Sequence, residues 1–111
     1  MTIGRVGDFT VARLEDQEIT LPEHVQELGE EIFEVLDEAD PPDLLIDFRE
    51  VELLSSRMLG ILVRLLKRAR QKDGRLRLCC IQPPILHILD LTNLNKVFDI
   101  YEDVEEAIEE G

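Results

Sequence analysis

The chain has 111 residues, 25 of them acidic and 12 basic, for a formal net charge of -13. That length fits a single domain, 1–111, with its own core but no large cleft between subdomains. The charge argues against nucleic acid or an anionic membrane as the main partner, because both require clustered Lys and Arg to displace counterions.

No apolar run approaches the roughly 20 residues of a membrane span, and "MTIGRVGDFT" has neither the charged start nor the apolar segment of a signal peptide. The expectation is a cytoplasmic protein whose partners are proteins. In chain order, "FTVARL" (Phe9 to Leu14) opens as a half-buried strand. Thr20, with Pro22 and Glu23 behind it, forms a T-x-x-E capping box for a first helix running to about Glu38. Val25, Leu28, Ile32, Val35 and Leu36 recur at helical spacing, and glutamates cover the other face. Asp40, Pro41 and Pro42 stop that helix, and "LLIDF" reads as a central strand.

Asp47 inside that strand must be hydrogen-bonded, most simply by backbone N–H groups of the following turn. No second titratable group stands at a spacing that provides acid-base or nucleophilic chemistry, so the chain does not read as an enzyme. A second helix starts at Ser55 or Ser56 and ends near Lys72, where Asp73 and Gly74 form a turn into the strand "RLRLCCI". Cys79 and Cys80, neighbours on that strand, are expected to point to opposite faces as core thiols, without a mutual bridge. With His24 and His87 remote in sequence, nothing has a metal-ligand spacing, and no metal or cofactor is expected. "QPP" leads a short helix to about Leu91, a turn follows at Thr92 and Asn93, and a short strand spans Val97 to Ile100. Asp103, with Glu106 three residues on, caps a last helix through Ile108.

The stretch "LLSSRMLGILVRLLKRARQK" (53–72) contains no acidic residue, and eight of the twelve basic residues lie between Arg57 and Arg77. Met58, Leu59, Leu62, Leu65, Leu66 and Ala69 are placed against the sheet. Arg57, Gly60, Arg64, Lys67 and Arg68 lie near a common opposite stripe. That stripe is either a solvated face balancing the acidic first helix or the edge of a partner surface. Gly60, costly in a helix interior, fits either tight packing within the fold or close approach by another backbone. A helix-starting serine ordinarily caps with its hydroxyl, which accounts for one serine but not for a pair.

From Phe9 to Ile108 the chain resembles the STAS domain of bacterial anti-sigma factor antagonists. The resemblance is carried by "LLIDFREVELLSSRMLG", by the "KDGRLRL" strand entry, by the proline-led helix with its Leu-Thr-x-Leu turn, and by the "EEA" of the terminal helix. It implies an α/β fold: a mixed, mostly parallel β-sheet with about four α-helices, in one STAS-like domain. It also implies a non-enzymatic module in partner-switching signal transduction, binding an anti-sigma factor that is a serine kinase. Phosphorylation at the start of the second helix would weaken that binding. Alignment on Leu59 and Gly60 places the acceptor at Ser56, with Ser55 as fallback, and the partner surface at Ser55, Ser56, Arg57, Gly60, Arg64 and Arg68. The family often has Asp before this serine and Gly after it, where this chain has Ser55 and Arg57. The alternative is a scaffold of the same fold that is never phosphorylated. A monomer is the expected state.

Overall fold

The computed structural model describes residues 1–109. In chain order the elements are β1 (Thr2–Val6), β2 (Phe9–Arg13), β3 (Glu18–Ile19), α1 (Pro22–Glu38), β4 (Asp43–Asp47), β5 (Leu53–Leu54), α2 (Ser56–Gln71), β6 (Arg75–Cys79), α3 (Pro83–Leu91), a 3-10 turn (Leu94–Lys96), β7 (Asp99–Tyr101) and α4 (Val104–Glu109). The main sheet has the order β1-β2-β4-β6-β7. Only the β1–β2 hairpin is antiparallel; the remaining pairs are parallel. A helix between parallel strands covers the sheet, so β4 is buried along its whole length, as its continuous apolar run requires.

The pleat divides each strand between two cores. Ala12, Leu44, Ile46, Leu76 and Leu78 pack with α1, α2 and α3 on one face. Phe9, Leu45 and Cys79 pack with Ala107 of α4 on the other. Every α2 residue assigned to the sheet from its spacing is buried, and Ile61 joins them.

Two features lay outside the sequence reading. β1 is exposed along its whole length, so burial leaves no alternation to read; it is held by pairing with β2 across a turn where Gly7 has φ 60°. β3 and β5 are two residues each and pair only with one another. The last strand lies slightly later than expected, because the 3-10 turn extends toward Val97 and buries Phe98 before β7 begins.

The expected capping box of α1 is not formed. Leu21 occupies the cap position in extended conformation, Pro22 is the first helical residue, and no side chain caps the end. Thr20 thus sits one residue too early, and the start is fixed by the preset φ of Pro22. The cap expected at α4 does form: Asp103 Oδ1 accepts the Glu106 N–H at 2.8 Å.

α1 and α2 run side by side in the same direction. A Cβ on Gly29 would stand 2.9 Å from Ile61 Cδ1, so the glycine makes room for the Ile61 side chain between the two helices. At their far ends Lys72 Nζ donates to the Leu36 and Asp37 carbonyls, at 3.1 and 2.9 Å. α1 has no basic residue in its own last turn, and α2 supplies the missing cation.

Candidate functional site

β5 delivers the chain to the start of α2. The Ser55 N–H donates to the Ile19 carbonyl of β3 at 3.0 Å, so the small β3–β5 sheet fixes where the helix begins. Ser55 is the N-cap, with extended φ and ψ of -81° and 159°. Its hydroxyl accepts the Met58 N–H at 3.2 Å, and its carbonyl accepts the Leu59 N–H at 3.2 Å. Ser56 is the first helical residue and is exposed. The two serines therefore divide the work: one closes the helix end, and the other presents its hydroxyl to solvent. No acidic residue stands in the first turn, so the positive end of the helix dipole is not answered there by an acidic side chain of α2.

Arg57, Gly60, Arg64, Lys67 and Arg68 are all exposed, as their spacing implied. A Cβ on Gly60 would meet nothing within 4 Å. Packing within the fold therefore does not account for this glycine. The arginines, however, face acidic neighbours on α1. Arg57 lines a shallow depression with Pro22, Glu23, Gln26 and Glu27, and Arg64 lines another with Gly29, Glu30 and Phe33. Arg68 forms a two-pronged pair with Asp37, at 2.8 and 3.1 Å. The hydrogen bond from Arg68 holds the Asp37 carboxyl below its ordinary value against a small opposing effect of burial, aided by the charges of Arg68 and Lys72. At its C-terminal end the acid-free stretch is thus matched to α1 through the Arg68 and Lys72 pairs with Asp37.

Asp47 is fully buried at the end of β4. Its Oδ1 accepts the Arg49 N–H at 3.0 Å, the turn-holding bond expected from the sequence. The Arg49 guanidinium also reaches both carboxylate oxygens, and Arg13 Nε lies 3.4 Å from Oδ2. Burial pushes this carboxyl up, but the backbone N–H, guanidinium bonds and charge of Arg49 outweigh it and hold the group below the usual range. The arginine partners are separated from Asp47 in sequence or lie beyond a turn, and no spacing rule pointed to them.

The cysteines depart from expectation. β6 ends at Cys79, and Cys80 adopts φ 60°, so the two side chains do not diverge as they would on a continuing strand. Their sulfurs lie 3.6 Å apart, unbonded. Burial pushes both thiols up. Their sulfurs and an Asp47 oxygen lie within 4.8 Å of one another. Arg49 and Arg13 already occupy the Asp47 carboxylate, which ties the ends of β2, β4 and β6 together.

A mixed sheet of this order, with three helices on one face and a short fourth on the other, is the architecture of known anti-sigma factor antagonist structures. A domain protein of that description from Planctomyces limnophilus superposes with a TM-score of 0.87 at 25% identity, over 96% of this chain and 92% of that one. An anti-sigma factor antagonist from Mycobacterium paratuberculosis gives a TM-score of 0.80 over 97% and 89%, and at 23% identity that likeness speaks to fold alone. The STAS domain pattern matches residues 21–107, and the chain belongs to the STAS domain family. Among named relatives, an anti-sigma F factor antagonist from Paenibacillus polymyxa is 27% identical over 67 residues, covering 60% of this chain and 57% of the relative. The chain therefore matches less than two thirds of the length of such relatives. Among the described residues, no helix is long and apolar enough to cross a membrane.

Proposed function

We propose that this chain is a non-enzymatic, anti-sigma factor antagonist-like module of bacterial partner switching, acting in the cytoplasm without a cofactor. Its partner is an anti-sigma factor with serine kinase activity, and its switch is Ser56. The observation that carries the reading is the division of labour at the start of α2. Ser55 is engaged in capping, which leaves Ser56 as an exposed first helical residue outside the cap.

Phosphate there would add about -1.5 to -2 charges, close to the positive helix end, so the domain can accept it without unfolding. A partner surface packed against Ser56 could not. Burying such a charge without matched donors costs several kcal/mol, and affinity falls about tenfold per 1.4 kcal/mol. The partner surface is proposed to include Ser55, Ser56, Arg57, Gly60 and Arg64. The exposed Gly60 provides room for close backbone approach. Arg68 belongs to its margin, because its guanidinium is committed to Asp37 in the free protein.

The test is binding of Ser56→Ala and Ser56→Asp to the partner, with circular dichroism to verify folding. Ser56→Ala should bind like the parent and Ser56→Asp should bind at least tenfold more weakly. Equal binding by both would favour a scaffold role, for which Arg57 in place of the family's usual glycine is the supporting feature.

A further inference from the structure

Cys79 closes β6 in the core, and Cys80 leaves the strand in a left-handed conformation rare for a residue with a β-carbon. That reversal brings the two sulfurs to one side, 3.6 Å apart. An S–S bond of about 2.05 Å requires only about 1.5 Å of further approach. The single peptide unit that links the two cysteines is held at both its polar groups: the Cys79 carbonyl accepts the Phe48 N–H at 3.0 Å, and the Cys80 N–H donates to the Tyr101 carbonyl at 3.3 Å.

We propose that Cys79 and Cys80 form an oxidative modification site, an adjacent-residue dithiol that closes to a disulfide with a hydroperoxide as oxidant. Cys80 is the more exposed of the two, and Arg49 Nη2 lies 3.9 Å from its sulfur, where it stabilises a transient thiolate. That thiolate attacks the peroxide oxygen, the O–O bond breaks, and Cys80 becomes a sulfenic acid as alcohol or water departs. The Cys79 sulfur then attacks the Cys80 sulfur and displaces the hydroxyl as water. Two thiols lose two protons and two electrons, and the hydroperoxide takes both and leaves as alcohol and water. Burial keeps the thiols protonated at neutral pH, so the first step is slow. The product is readily reversed: neighbouring Cα atoms are only about 3.8 Å apart, below the usual span of a disulfide, and a strained bond is easily reduced.

The test treats the reduced, folded full chain with hydrogen peroxide, then denatures it in the presence of an alkylating agent and reads the intact mass and the Cys79–Cys80 peptide. The expected product is a monomer that has lost two hydrogens, resists alkylation, and regains both thiols on treatment with dithiothreitol. Two alkylated cysteines after prolonged exposure would overturn the proposal. So would oxygen added to one sulfur without bond formation, or a dimer linked through Cys80.

Discussion

Replacing each serine at the start of α2 separately should produce opposite outcomes in stability and binding. Ser55→Ala removes the hydroxyl that accepts the Met58 N–H at 3.2 Å, in a half-buried position where water replaces it imperfectly. Loss of such a cap costs about 1 kcal/mol. For a chain of this size that lowers the melting temperature by about 4 °C. Ser55→Asp keeps an acceptor in place and adds an anion at the positive helix end, so it should recover most of the loss. Ser56→Ala, on an exposed side chain with no role in the cap, should stay within about 0.5 kcal/mol of the parent. Urea denaturation of the four proteins, fitted with a common slope, measures these differences directly. If Ser55→Ala is as stable as the parent, or if Ser56→Ala loses as much as Ser55→Ala, the assignment of cap and free hydroxyl is wrong.

Gly60→Ala places a methyl group in open space on a helix and should stabilise the free protein by about 1 kcal/mol, while weakening partner binding if a backbone approaches there; melting and titration together decide it. Gly74→Ala should be strongly destabilising, by at least about 2 kcal/mol, because its Cβ would overlap the Pro42 carbonyl, and a failure to lower the melting temperature would contradict the close passage of these two loops. Asp47 titrates below its unfolded value in the folded state, so its contribution to stability is present above about pH 4 and lost as pH falls through the lower folded value. Asp47→Asn should therefore be less stable than the parent at pH 7, with the gap narrowing at the acid end of a series of melts. Arg64→Gln should slow association with an acidic partner at low salt and leave dissociation unchanged, whereas Arg68→Gln should act through loss of the exposed Asp37 pair and cost no more than about 1 kcal/mol.

Much of this fold was legible because the strong signals were periodic. The α2 spacing identified its buried face, and the apolar run at Leu44 to Ile46 identified a central parallel strand. β1 escaped because it is exposed throughout and contains a glycine, so neither burial nor propensity marks it. Thr20 failed as a cap because a proline one residue beyond Leu21 fixes the helix start more firmly than a T-x-x-E pattern can. At the candidate site, the serine pair was visible, but which serine caps depends on where the β3–β5 pairing ends, a contact between segments far apart in sequence. The basic stripe was visible too, with the acidic first helix as one possible counterpart, but not which of its residues is engaged: among the described residues Arg68 is the one paired, with Asp37. Nothing in "RLRLCCIQPP" marks Cys80 as left-handed, since the turn is not made by Gly, Asn or Asp.

The most direct test of the proposed switch is quantitative phosphate mapping after incubation with the cognate kinase and ATP, with the fraction modified at each site read by mass spectrometry. The account predicts a dominant phosphate on Ser56, abolished in Ser56→Ala and retained in a variant with Ser55 replaced by Asp. Dominant modification of Ser55, Thr20 or Thr92, or no phosphate while the partner remains bound, would contradict it.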